Sequence, residues 1–118
     1  MSANFTPEIT VEDLAAKLNS ADPFILLDIR ENWEQELARI IDERLVILPM
    51  SWFASEGIKA LPDSVKSHKT EIFVLCHHGI RSSDVTNWLT SQGWTSVFSV
   101  AGGINEYASK IDGSVGFY

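Results

Sequence analysis

The hydrophobic residues of the chain fall into short continuous runs. These runs are FILLDI at 24–29, RLVILPM at 44–50, TEIFVLC at 70–76 and TSVFSV at 95–100. A continuous apolar run of this length is typical of a strand covered on both faces, whereas a half-exposed strand alternates apolar and polar residues. The four runs therefore predict buried strands of a mainly parallel sheet.

Segments with helical spacing alternate with these runs. The spacing predicts a helix over residues 9–20 and a short helix over residues 31–40, with Trp33, Leu37 and Ile40 turned inward. Further helical turns are predicted at 51–62, 82–93 and 101–110. Strands that alternate with helices indicate an α/β fold, in which helices cover both faces of the sheet.

The composition fits a globular protein and narrows the function. The chain has 118 residues, of which 45% are hydrophobic, and a net charge of −7. We expect one domain over residues 1–118, with an irregular tail at about 110–118. Nucleic-acid binding is not expected, because it needs a basic patch. No apolar run reaches the roughly 18 residues of a membrane span, so we expect no membrane binding. No secretory signal is seen, and a single cysteine fits a reducing compartment, so we expect a cytoplasmic location.

One stretch, FVLCHHGIRSSD at residues 73–84, joins a strand end to reactive side chains. Cys76 ends the strand, and Gly79 and Arg81 follow before helical sequence begins. A strand–loop–helix junction presents free backbone N–H groups and the positive end of a helix dipole, which together attract anions. We expect these groups and Arg81 to favour the thiolate form of Cys76. The stretch therefore predicts a nucleophilic thiolate in an anion-binding loop.

The two histidines beside Cys76 allow other interpretations. Consecutive residues on a tight loop rarely point at one ion, and no second cluster has zinc-like spacing, so neither a metal nor another cofactor is expected. One histidine is a possible general base, although we favour a role for the backbone amides of His77 and His78, with their side chains at the mouth of the pocket. The alternative without function is that Cys76 is one more buried apolar residue.

Three motifs resemble the rhodanese-like family of single-domain sulfurtransferases, in which a cysteine carries sulfur as a persulfide. They are DIRE at 28–31, CHHGIRS at 76–82 and GWTSVFSVAGGI at 93–104. The resemblance implies a central five-stranded, mainly parallel sheet flanked by helices on both faces. It implies that Cys76 is catalytic and that the persulfide- and anion-binding loop consists of His77, His78, Gly79, Ile80, Arg81 and Ser82. Asp28 and Arg30 would support the site, although for Asp28 a purely structural role is equally open.

The resemblance also implies an activity. The protein would be a thiosulfate sulfurtransferase-like enzyme that moves sulfane sulfur from a small anionic donor to cyanide, a thiol or a protein acceptor. Four residues separate Cys76 from Arg81, whereas related phosphatases and arsenate reductases have five, and the smaller ring of amides suits one sulfur atom better than a phosphate. Two alternatives stay open: a non-catalytic rhodanese-like binding or regulatory module, and a redox switch in which Cys76 becomes a sulfenic acid.

Two parts of the chain depart from the family pattern. The segment ARIIDERLVILP at 38–49 lacks the glycines and the histidine of the usual turn, and Tyr107 stands where a tryptophan usually follows GGI. The first departure changes the expected local turn but does not touch Cys76, and Tyr107 is a smaller but still aromatic replacement. We also expect the Ser82 hydroxyl to cap the helix that follows the loop.

Overall fold

A five-stranded sheet forms the centre of the structure, a computed structural model that describes residues 6–118. Its strands are β1 Glu8–Ile9, β2 Ile25–Asp28, β3 Leu45–Ile47, β4 Ile72–Leu75 and β5 Val97–Val100. Every neighbouring pair is parallel, in the order β1-β5-β4-β2-β3. The α/β fold with a five-stranded parallel sheet is therefore confirmed. The hydrophobic runs did not reveal β1, because a strand of two residues leaves no pattern to read.

Helices cover both faces of this sheet. They are α1 Val11–Leu18, α2 Asn32–Gln35, α3 Met50–Glu56, α4 Ile80–Ser91 and α5 Gly103–Lys110, with 3-10 turns at Gly57–Ala60, Asp63–Val65 and Gly113–Val115. α3 and α4 pack on one face, whereas α1 and α5 pack on the other. β4 lies between two strands and is buried along its whole length, as its continuous apolar run predicts.

Two packing predictions are wrong. β3 is an edge strand of only three residues, none of them fully buried, and Ile47 is 44% exposed. α2 ends at Gln35, so helical spacing does not govern the residues that follow it. Leu37, beyond the helix, is 48% exposed, Trp33 is 61% exposed within α2 itself, and only Ile40 of the three is buried.

The topology brings two sequence motifs to one edge of the sheet. β2 and β4 are neighbours in parallel register, with Asp28 opposite Leu75. Asp28 and Cys76 therefore both lie at the carboxyl edge, where parallel α/β sheets place their ligands. Among residues 6–118, no helix is long and apolar enough to span a membrane.

Candidate active site

Cys76 directly follows β4 and is almost completely buried, with 1% of its surface exposed. Its Sγ accepts hydrogen bonds from the backbone N–H of Gly79 at 3.1 Å and of Ser82 at 3.3 Å. The first N–H groups of a helix have no partner within the helix, so those at the start of α4 are free to face an acceptor. Gly79 has a φ of +98° and turns the loop into α4. The structure thus directs two backbone amide groups, one in the loop and one in the first turn of α4, at the sulfur.

Two buried hydroxyl groups lie behind the sulfur. Ser82 Oγ is 3.3 Å from Cys76 Sγ and 2.7 Å from Ser99 Oγ, and both serines are completely buried. The expectation that Ser82 caps the helix is wrong, because α4 begins at Ile80 and its N-cap residue is Gly79. Ser99 was not singled out from the sequence, in which the only signal was a serine between a phenylalanine and a valine in the run TSVFSV. We call Cys76, Ser82 and Ser99 the hydroxyl relay.

The start of α5 holds the loop from the other side. The N–H groups of Ile104 and Asn105 donate to the carbonyl oxygens of Cys76 at 2.9 Å and His77 at 3.1 Å. This close approach requires Gly103, which has a φ of +65°, because a Cβ there would lie 2.4 Å from the carbonyl oxygen of His77. Since these carbonyls are bound to α5, the N–H groups of the loop are left to face Sγ.

Arg81 forms a bidentate ion pair with Glu34. Its two terminal nitrogens donate to the carboxylate oxygens of Glu34 at 2.8 and 2.7 Å. These hydrogen bonds outweigh the effect of burial and lower the pKa of Glu34 from 4.5 to about 2. The same pair raises the pKa of Arg81, and in the described part of the chain no hydrogen bond joins Arg81 to Cys76. Arg81 therefore lies in the loop with its charge balanced by Glu34.

The D-x-R element forms a second, fully buried ion pair. Arg30 donates to both carboxylate oxygens of Asp28, at 3.0 and 2.9 Å, and neither side chain is exposed. Arg30 also donates to Gln35 Oε1 and to the carbonyl oxygen of Glu34. Burial alone would lower the pKa of Arg30, but the hydrogen bonds and charge of Asp28 raise it. The element thus ties α2 to the edge of the sheet, and Asp28 binds Arg30 rather than Arg81.

Tyr118 links the two ion pairs to the loop. Its hydroxyl donates to Glu34 Oε1 at 2.8 Å and accepts from Arg30 at 3.2 Å. Its ring stacks on His77, with the centroids 3.6 Å apart and the planes at 5°. No motif in the sequence pointed to this contact, because Tyr118 lies more than 80 residues from Glu34 along the chain. We call Asp28, Arg30, Glu34, Arg81 and Tyr118 the charged cluster.

The side chains of the two histidines lie at the outside of the loop. The His77 ring is sandwiched between Tyr118 and His78, whose centroid is 3.9 Å away, and its Nε2 lies 2.8 Å from the backbone oxygen of Tyr118. Burial and the charge of His78 lower the pKa of His77. His78 and Ile80 are exposed, with 75% of Ile80 accessible. Within residues 6–118, no three His, Cys, Asp or Glu side chains converge as a metal site would require.

Known protein sequences match this chain over most of its length, including the Cys76 loop. The family model described as "Rhodanese-like domain" matches residues 10–110. The chain is 36% identical over 116 residues to "Rhodanese-like/PpiC domain-containing protein 12, chloroplastic" of Arabidopsis thaliana, covering 94% of the chain and 37% of that protein. It is 27% identical over 111 residues to "Putative sulfur carrier protein YrkF" of Bacillus subtilis, covering 94% and 56%. The chain thus spans roughly a third to a half of these relatives.

Solved structures show the same fold. The crystal structure of a rhodanese-like domain protein from Staphylococcus aureus superposes with a TM-score of 0.70, covering 86% of this chain and 90% of that one. The two sequences are 22% identical, and at this distance the likeness shows the fold alone.

Proposed function

The chain belongs to the rhodanese-like domain family, and on this basis we propose that it is a sulfurtransferase that carries sulfane sulfur on Cys76 as a persulfide. One observation carries the proposal: Cys76 Sγ, buried at the end of β4, accepts hydrogen bonds from two loop amides at 3.1 and 3.3 Å. Such donors favour a negative charge on sulfur, both on the free thiolate and on a sulfur atom bound to it.

The first half of the reaction loads the cysteine. The Cys76 thiolate attacks the outer sulfur of thiosulfate, a new S–S bond forms, and the old S–S bond breaks with its electron pair leaving on sulfite. The product is a Cys76 persulfide whose outer sulfur carries the negative charge. The N–H groups of Gly79 and Ser82, which donate to Cys76 Sγ, would hold this charge together with the rest of the loop from His77 to Ser82.

The second half of the reaction returns the free thiolate. Cyanide or an acceptor thiolate attacks the outer sulfur, the persulfide S–S bond breaks, and Cys76 leaves as a thiolate, giving thiocyanate or a new persulfide. The loop amides that stabilise the thiolate as nucleophile also stabilise it as leaving group. We propose that Arg81, Asp28 and Arg30 support these steps by fixing the loop, because each of these charges is engaged in an ion pair.

A protein acceptor fits the comparisons. The Bacillus relative is named as a sulfur carrier, and each of the two relatives is considerably longer than this chain. We therefore propose a thiol, free or on a protein, as the natural acceptor and a small sulfur anion as the donor. The cytoplasmic location remains a prediction, and the Arabidopsis relative is named as chloroplastic.

Intact mass after brief incubation with thiosulfate tests this function. Wild-type protein should gain the mass of one sulfur atom, and cyanide should reverse the gain while thiocyanate appears. The Cys76→Ser variant, which removes the only thiol in the chain, should gain nothing. A wild-type protein that stays unmodified with thiosulfate, polysulfide and a low-molecular-weight persulfide would overturn the proposal and favour a binding module.

A further inference from the structure

The hydroxyl relay is a row of three atoms that ends inside the core. Cys76 Sγ lies 3.3 Å from Ser82 Oγ, which lies 2.7 Å from Ser99 Oγ. Both serines are completely buried, and among the side-chain hydrogen bonds of residues 6–118 Ser99 Oγ takes part only in the one to Ser82. Solvent water is thus not at hand to satisfy a leftover donor at the far end of the row.

The number of protons in this row depends on the state of Cys76. Three atoms in a row make two hydrogen bonds. With a thiol, the row holds three protons, so one of them has no acceptor. With a thiolate, it holds two, and both are used: Ser99 donates to Ser82, and Ser82 donates to Sγ. Because a buried donor without an acceptor is costly, this count favours the thiolate.

We propose that Ser99 is a positioning residue that acts through Ser82 to stabilise the Cys76 thiolate. This inference rests on the proposed function, in which the thiolate is nucleophile in the first half-reaction and leaving group in the second. In this proposal Ser99 contacts neither the sulfur donor nor the sulfur acceptor. Its effect is to orient the Ser82 hydroxyl, since a Ser82 oxygen that accepts from Ser99 directs its own proton to Sγ.

A purely structural pairing of two buried hydroxyls is the competing explanation. Thr86 gives the chain a built-in comparison, because its hydroxyl is also completely buried, one turn further along α4, and has no hydrogen-bond partner among residues 6–118. The fold thus bears the cost of an unpaired buried hydroxyl at one position. Burial alone therefore does not dictate that Ser99 is paired with the residue that contacts Sγ, and a comparison of variants at Ser99 and Thr86 separates the two explanations.

The thiolate is measured by its ultraviolet absorbance as a function of pH. Since the chain has one cysteine, the whole thiolate signal belongs to Cys76. The two tyrosines do not interfere, because burial raises the pKa of both Tyr107 and Tyr118 above 10. We expect Ser99→Ala to move the midpoint up by about 0.5 to 1 pH unit, a threefold to tenfold change in proton affinity. Thr86→Val should leave it in place.

Single-turnover kinetics measure the rates of sulfur loading and sulfur transfer, which a purely structural role of Ser99 would leave unchanged. With Ser99→Ala, loading by thiosulfate should slow about threefold to tenfold near neutral pH and recover at alkaline pH, where the thiolate forms anyway. Transfer from the persulfide to cyanide should slow at every pH, because the leaving thiolate is less stable. Ser99→Thr, which keeps the hydroxyl, should restore both rates.

Equal midpoints and equal rates for wild type, Ser99→Ala and Thr86→Val would overturn the inference. If Ser99→Ala does not fold, the pair Ser99→Thr and Ser99→Val makes the same comparison, because these side chains differ only by a hydroxyl and a methyl group. The titration needs no sulfur donor. A protein that fails to load sulfur but shows the shifted midpoint would therefore refute the proposed function and leave the relay standing.

Discussion

Two polar clusters lie side by side at the carboxyl edge of the sheet, and they differ in how completely they are paired. In the charged cluster, Arg30 faces Asp28 and Arg81 faces Glu34, so each charge has a partner. In the hydroxyl relay, the groups around Cys76 are neutral, and by the proton count each proton of the row has an acceptor only when the sulfur is negative. The charged cluster therefore keeps one arrangement of ion pairs, whereas the hydroxyl relay accommodates a change of charge at Cys76.

This difference assigns different work to the two clusters. From the sequence, Arg81 was expected to add positive charge to an anion-binding loop. In the structure its charge is balanced by Glu34, so two backbone amides and the Ser82 hydroxyl face the sulfur, and Arg81 anchors the loop to α2. A neutral ring of donors suits a single sulfur atom, whose one charge needs less compensation than a phosphate does.

Among changes in the charged cluster, loss of the buried Asp28–Arg30 pair should have the largest effect on stability. Arg30→Met leaves the completely buried carboxylate of Asp28 without its partner, so we expect the free energy of unfolding to fall by about 3–5 kcal/mol. Urea denaturation measures the change. Arg39→Met, at an exposed position, should stay within about 0.5 kcal/mol of wild type. Equal stabilities for the two variants would refute the anchoring role of this pair.

Glu34→Gln breaks the second pair and gives a pH signature. Because the pKa of Glu34 is lowered from 4.5 to about 2, the stability it confers is complete above pH 4.5 and is lost as the pH falls towards 2. We expect the variant to be less stable by about 2 kcal/mol at pH 7, allowing for the partial exposure of Arg81, and to lose less stability on acidification.

The control for this prediction is Glu36→Gln, which changes an exposed carboxylate in the same segment. The free energy of unfolding is plotted against pH between pH 7 and pH 2. The slope of this plot should differ from wild type for Glu34→Gln, and the plot for Glu36→Gln should run parallel to wild type. Parallel curves for all three proteins would show that the Glu34–Arg81 pair does not form in solution.

Tyr118→Phe makes the smallest change to the charged cluster. It removes one hydroxyl that bridges Glu34 and Arg30 but keeps the ring stacked on His77, so we expect a loss of about 1 kcal/mol, or roughly 4 °C in Tm. Sulfur loading at Cys76 should reach the same extent. Tyr107→Phe removes a hydroxyl without a hydrogen-bond partner in the described residues and serves as control. A Tm shift of equal size in both variants would count against the bridge.

The parts of the site that follow one another along the chain were predictable. An apolar run, a lone cysteine, a glycine and a helical segment sufficed to place Cys76 at the end of a buried strand. Glu34 and Tyr118 were not predictable, because they reach the loop from 47 and 41 residues away and no local pattern marks such a contact. The exposure of Ile47 depends on the order of the strands, which the runs alone do not reveal.

The most direct test is a crystal structure of the protein after treatment with thiosulfate. We expect one additional sulfur atom bonded to Cys76 Sγ, within hydrogen-bond distance of the loop amides, while Arg81 stays bound to Glu34 at the distances seen here. A structure in which Arg81 has left Glu34 and binds the new sulfur would contradict this expectation. The charged cluster would then take part in the chemistry, and the division between the two clusters would fall.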